Sequence, residues 1–231
     1  MWLLRDLWPG AGWGLVDAGG LPKAPWWYLR RAWAPLAVWL VDDGVHGLTL
    51  HADNETPAPI EGRLELELYR PDGQVAERAD VPLRLEAREQ RAISVEALLG
   101  RFVDSSRAYR FGPAVHSLTA ARLVGADGQA LARAFHHADG PVAQGDPGLS
   151  ATARRLPDGA YEVTVRAERF AQAVAVDAPG WTADDSYFHL APRVAHTLRL
   201  RPRGAPPHAG LRARLRPLNG APVRVELEGA R

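Results

Sequence analysis

The sequence contains no cysteine. That excludes a disulfide framework, a thiolate nucleophile and a zinc–thiolate site, and it leaves cytoplasm and periplasm equally open as the compartment. No stretch approaches the ~20 apolar residues of a membrane helix. The opening, Met1-Trp2-Leu3-Leu4-Arg5-Asp6, lacks the basic lead and apolar run of a signal peptide, so no membrane partner is expected. Neither sign of charge dominates: 28 basic residues face 27 acidic ones, for a formal net charge of +1. No strong field to gather nucleic acid is therefore expected. Tryptophan is nearly absent from most of the chain. Seven of the eight lie in the first 39 residues, and only Trp181 lies beyond.

What is present divides the chain accordingly. Trp2–Leu7 reads as a short strand broken by Pro9-Gly10-Ala11-Gly12, and Trp13–Val16 is extended. Pro22 and Pro25 lead into a helix expected over Trp26–Trp33, with Trp26, Leu29 and Trp33 on one face, and Pro35 ends it. From about residue 37 the hydrophobic period becomes two. Leu48, Leu50 and Ala52 alternate with polar residues, as do Leu64, Leu66 and Leu68, and Val81, Leu83 and Leu85. Asp72-Gly73, Asp127-Gly128 and Asp158-Gly159 mark turns. Residues 141–148 read as a linker rich in proline and glycine. Seven further strands are expected between Leu149 and Leu227, the count of a small immunoglobulin-like sandwich.

The first 36 residues resemble one specific family. Trp2-Leu3-Leu4-Arg5-Asp6-Leu7-Trp8-Pro9 is similar to the final barrel strand of glycoside hydrolase family 2 enzymes of the β-mannosidase type, usually W-Q-L-N-D-x-W-P. Trp13-Gly14-Leu15-Val16-Asp17, Gly20-Leu21-Pro22-Lys23-Ala24 and Tyr28-Leu29-Arg30-Arg31-Ala32-Trp33-Ala34-Pro35 resemble the segments that come after that strand in the family. Further on, Phe102-Val103-Asp104, Tyr109-Arg110-Phe111-Gly112-Pro113 and His116 look like the family's next sandwich. Asp185-Ser186-Tyr187-Phe188, with Leu190 and Pro192, is similar to D-N-Y-F-x-L-x-P of its terminal domain. Leu3 and Arg5 depart from the usual glutamine and asparagine. By strand parity they face away from Trp2, Leu4 and Asp6.

The resemblance implies a mainly β chain. Residues 1–36 would be the last βα unit of a (β/α)8 catalytic barrel, 37–140 an immunoglobulin-like sandwich, 141–148 a linker and 149–231 a second such sandwich. It implies the C-terminal part of a retaining glycosidase that releases terminal β-mannose in carbohydrate catabolism. Retention needs two carboxyl groups ~5–5.5 Å apart, and the first glutamate here is Glu55, already past the barrel segment. The catalytic pair is thus expected outside this chain, which alone should be inactive. Its partners would be a β-mannoside or related oligosaccharide and the remaining barrel portion of the enzyme. No cofactor is implied.

By resemblance Trp2 would floor the sugar subsite, Asp6 would orient a hydroxyl or a loop, and Trp8 would line the mouth. Each has a second reading: Trp2 and Trp8 as core between barrel and sandwich, the better one for Trp8, and Asp6 as a structural cap. His136-His137 cannot chelate together because strand neighbours point to opposite faces. Asp42-Asp43 and Asp184-Asp185 read as turn residues without calcium-loop spacing, so no metal site is expected. The run Arg199, Arg201, Arg203, Arg212, Arg214 and Arg216 reads as a solvated strand face. Two other readings remain: a non-catalytic carbohydrate-binding or interaction module, and a family 2 enzyme for another sugar, such as an exo-β-glucosaminidase or β-galactosidase.

Overall fold

The computed structural model describes residues 3–110, 112–138, 145–204 and 210–228. The chain divides into two compact units. One is Trp33–Val142, and the other combines Met1–Ala32 with Ala143–Arg231.

Trp33–Val142 is a β-sandwich. Its elements are β1 (Leu36–Asp42), β2 (Leu48–Asn54), β3 (Ile60–Tyr69), β4 (Val75–Leu85), β5 (Gln90–Ser94), β6 (Leu118–Gly125) and β7 (Ala130–His137). One antiparallel sheet has the order β1-β2-β5 and the other β4-β3-β6-β7. Period-two patterning sets the two faces. Leu48, Leu50 and Ala52 are fully buried and so, within 1%, are Leu64, Leu66 and Leu68, while Thr49, His51, Glu65 and Glu67 point the other way. Each fully buried leucine is worth ~1.5–3 kcal/mol of transfer free energy. Gly62 lies where a Cβ would collide with the Val124 carbonyl, so the β3–β6 crossing requires glycine there.

The Asp-Gly turns share one mechanism. The aspartate carboxylate accepts the amide two residues on, from Gln74 at 2.9 Å, Gln129 at 3.0 Å and Ala160 at 3.2 Å. The glycine takes a positive φ, +83° at Gly73 and +78° at Gly128.

Among the elements of this unit that carried no alternation strong enough to be expected are the short strand β5 and the one-turn helix α2 (Val95–Leu99). The helix did have a bracket in the sequence. Ser94 caps it by accepting the Ala97 amide at 3.0 Å, and Gly100 closes it in the left-handed region, the pairing expected of helix ends. A buried polar knot holds it: Ser105 Oγ accepts the Leu48 amide at 2.8 Å and donates to Glu96 at 2.5 Å, while its carbonyl meets His116 Nε2 at 3.1 Å.

The second unit is another sandwich. Its strands are β8 (Ser150–Arg155), β9 (Tyr161–Arg166), β10 (Ala171–Asp177), β11 (Trp181–Ala183), β12 (Phe188–Leu190), β13 (His196–Pro202), β14 (Arg214–Arg216), β15 (Val223–Arg224) and β16 (Glu226–Leu227). The sheets run β11-β13-β9-β8-β16 and β12-β10-β14-β15. Val163, Val165, Val174, Leu200 and Leu215 are fully buried between them, with Trp181 set edge-on to Tyr161 at 5.1 Å. The last segment splits, with β15 joining one sheet and β16 pairing parallel to β8 in the other. Part of the expected linker lies outside the described residues. Its described end is strapped to this unit: the Gly145 amide donates to Asn219 O at 3.0 Å and Pro147 O accepts from Glu168 and Arg169.

The same unit contains helix α1 (Ala24–Ala32), which starts two residues before the expected span. Of the strand expected over Trp2–Leu7, the described residues 3–7 form no ladder. Trp2 lies outside the described residues, and the rest reduces to a single parallel bridge between Arg5 and Val16, with Val16 also bridging Pro22. A parallel strand is normally buried with neighbours on both sides. Among the described residues the Leu15–Val16 backbone alone runs alongside, through Leu15 N to Leu3 O at 3.2 Å and Val16 N to Leu4 O at 3.0 Å. The chain is mainly β, built as sandwiches, with no barrel among the described residues.

Candidate functional site

Asp6 is the organising residue of the first segment. It is 6% exposed, and the chain itself engages both carboxylate oxygens. Oδ1 accepts the Gly14 amide at 2.7 Å, and Oδ2 pairs with the Lys23 ammonium, which also donates to Gly12 O at 3.0 Å. The Lys23 hydrogen bond, then that of Gly14, hold the carboxyl below its usual range. The sequence permits this only through its glycines. A Cβ on Gly14 would lie 2.6 Å from the Asp6 amide nitrogen, and one on Gly12 would overlap the carboxylate. Asp6 thus ties the Gly12–Lys23 loop to the segment preceding it.

Trp8 is 74% exposed and Trp13 76% exposed, beside Leu4 at 70% and Leu7 at 80%. Of the three residues singled out for substrate contact, the structure therefore places Asp6 in a closed charge pair and Trp8 on an open surface. Trp2 lies outside the described residues.

A second constellation was missed in the sequence, although both halves of it were noticed. Arg31 of α1 spreads its guanidinium over the 185–187 turn. It donates to Asp185 Oδ1 at 2.5 Å, Ser186 O at 2.5 Å and Tyr187 O at 3.2 Å, and Arg30 donates to Asp184 O at 2.5 Å. Tyr187 adopts φ +53°, a region uncommon for a non-glycine residue, and the turn so formed presents its carbonyls to the two arginines. Asp185 also faces His196 Nε2 at 3.0 Å. Burial pushes the Asp185 carboxyl up, but the His196 hydrogen bond and the Arg31 charge outweigh it, and the net shift is downward. The Tyr-x-x-Arg-Arg motif thus docks on the Asp-Ser-Tyr-Phe motif, with Arg31 and Asp185 separated by 154 residues.

Beside this clamp lies His189 of β12. Its Nδ1 accepts the amide of Ala173, which sits at φ +46° in the bulge of β10. The ring packs between Phe170 at 5.6 Å and Tyr28 of α1 at 6.0 Å. Burial, and next the Arg31 charge, push its pKa down from 6.5 to about 4. A neutral imidazole is what an accepting Nδ1 requires.

The other candidates resolve into local structure. His136 Nε2 is 3.5 Å from Asp42 Oδ2, joining β7 to β1. Asp42 accepts the Gly44 amide, Asp43 accepts the Thr49 hydroxyl, and Asp184 accepts the Arg199 amide. Among the described residues no group of three histidine or acidic side chains is arranged to hold a metal.

No protein-family profile matches this sequence, and no curated protein resembles it significantly. By fold the chain is similar to the β-D-mannosidase of Dictyoglomus thermophilum, with a TM-score of 0.72 and 16% identity, over 95% of this chain and 26% of that one. It is also similar to the exo-chitosanase of Amycolatopsis orientalis, with a TM-score of 0.65 and 17% identity, over 97% of this chain and 30% of the other. At these identities the likeness is one of fold. The chain spans between about a quarter and a third of the length of these glycosidases.

Proposed function

We propose that this chain is the C-terminal part of a retaining glycoside hydrolase of family 2, β-mannosidase-like, acting on terminal β-mannosides. Residues 1–36 would complete the catalytic barrel, and the sandwiches 37–140 and 149–231 would brace it. The observation that carries this reading is the likeness to a β-D-mannosidase across 95% of the chain. It covers both the tryptophan-rich opening and the sandwiches. The clamp between α1 and the 185–187 turn supports it, because it joins the two segments that carry the family resemblance.

In this reading the reaction is a double displacement by two carboxyl groups supplied from outside this chain. Barrel enzymes build their sites at the C-terminal ends of their strands, where Trp2, Asp6 and Trp8 would lie. The Trp2 indole would offer an apolar platform to a sugar ring. Asp6, locked by Lys23 and Gly14, would hold the Gly12–Lys23 loop in place, and Trp8 would line the entrance. A similar likeness to an exo-chitosanase, with Leu3 and Arg5 at variance from the mannosidase pattern, supports an exo-β-glucosaminidase as the second reading.

The test is hydrolysis of p-nitrophenyl β-mannoside, β-glucosaminide and β-galactoside by the purified chain, and by the chain joined to the polypeptide encoded immediately upstream. The expected result is no turnover by the chain alone and turnover of the β-mannoside by the joined protein. Turnover by the 231-residue chain alone, or none with any glycoside after joining, would overturn the proposal.

A further inference from the structure

The near-neutral net charge hides a segregation. From residue 191 onward there are nine arginines against two glutamates, so this stretch carries +7 and the preceding residues −6, for a total of +1. Charge asymmetry of this kind points to an oppositely charged partner.

The fold sorts these arginines into two sets. On the β11-β13-β9-β8-β16 sheet Arg199 pairs with Asp158, as the earlier Arg154 does with Glu162. The β14–β15 hairpin differs. Leu211, Ala213 and Leu215 face the core, so Arg212, Arg214 and Arg216 all point outward and are exposed, as is Arg224. Among the described residues none of these four makes an ion pair. Register places Arg214 directly opposite Arg224 on β15 and, on its other flank, opposite Asp177, an acid on the same face. Like charges directly opposite one another are unfavourable in a sheet. Successive arginines stand about 6.7 Å apart along the strand and about 5 Å apart across it.

We propose that the β14–β15 hairpin is a docking face for an acidic polysaccharide that bears carboxylates on its sugar rings. A guanidinium fork matches a carboxylate with two parallel hydrogen bonds, and a polyuronate repeats that group along an extended chain. Residues 211–228 contain no aromatic side chain, so the face offers no stacking platform for a neutral sugar or an unpaired base. Charge complementarity supplies the anionic partner. The choice of a glycan rests on the glycosidase reading above.

The test is calorimetric titration of the intact chain with polygalacturonate, with its fully methyl-esterified form and with duplex DNA. The expected result is binding of polygalacturonate alone, weakened about tenfold as salt is raised by a few hundred millimolar. The R214Q/R224Q variant should lose at least about tenfold in affinity with an unchanged thermal midpoint, and R214K/R224K should recover part of it, because charge remains while the fork is lost. The R154Q/R199Q variant should bind as wild type. No binding, equal binding of the ester or of DNA, or unaltered affinity in R214Q/R224Q would overturn the proposal. The glycosidase reading fails separately, in the hydrolysis assay, whatever the titration gives.

Discussion

His189 makes the C-terminal sandwich sensitive to acid in a calculable way. Its imidazole accepts the Ala173 amide at 3.0 Å and is shielded by Phe170 and Tyr28, with the Arg31 guanidinium nearby. Protonation removes the acceptor and places a second cation beside Arg31. Asp185, the acid of this cluster, is already engaged by Arg31 and His196. The folded-state pKa is about 4, against 6.5 for the free side chain. Between those values the unfolded chain binds the proton and the folded chain does not, so stability falls as pH falls through this window. Above pH 6.5 the group adds no pH dependence, and below about pH 4 the full loss has accrued. At ~1.4 kcal/mol per pH unit the loss amounts to about 3 kcal/mol.

The assay is urea denaturation followed by far-UV circular dichroism, at a series of pH values from about 7 to about 4, on wild type and on His189→Gln. Glutamine retains an acceptor but does not titrate. Wild type should lose about 3 kcal/mol more than the variant across the series. The comparison is necessary because burial also lowers the pKa of His116 in the other unit, and that contribution is common to both proteins. Superimposable pH profiles for the two proteins would refute the reasoning.

The same geometry sets two further outcomes. Arg31→Met removes three donors from the 185–187 turn and leaves the Asp185 carboxylate with His196 as its remaining side-chain partner. Discounted for a pair roughly a third exposed, the cost is about 1–2 kcal/mol, and it should appear as faster hydrogen exchange across Ala24–Ala32. Unchanged exchange would mean the clamp does not hold the helix. Ser105→Ala leaves the buried Leu48 amide without its acceptor and Glu96 without its donor. It should lower the stability of the first sandwich by about 1–3 kcal/mol, read as a drop in urea midpoint at constant slope, and an unshifted midpoint would place the stability of that loop elsewhere.

Much of the fold was legible because period-two alternation and Asp-Gly turns are local signals. Each is written within about ten residues, and each survives whatever packs against it. The strand β5 and helix α2 were less legible: β5 has little alternation, and α2 declares itself only by the bracket Ser94–Gly100. The opening strand was expected as one with neighbours on both sides, and among the described residues one short backbone segment runs beside it.

The candidate site divides in the same way. Composition and order determined that the tryptophan-rich opening differs in kind from the rest of the chain, that the chain is mainly β and built of sandwiches, and that Asp6, Arg31 and Asp185 stand in short motifs. Only the tertiary structure decided that Asp6 closes on Lys23 seventeen residues away, that Arg31 reaches Asp185 across 154 residues, and that four arginines of one hairpin are left unpaired while Arg154 and Arg199 of the opposite sheet find acids. Side-chain periodicity fixes which way a residue points within its own strand. Which charge it meets depends on strand order and register, and those are settled only when distant segments bury their apolar faces together.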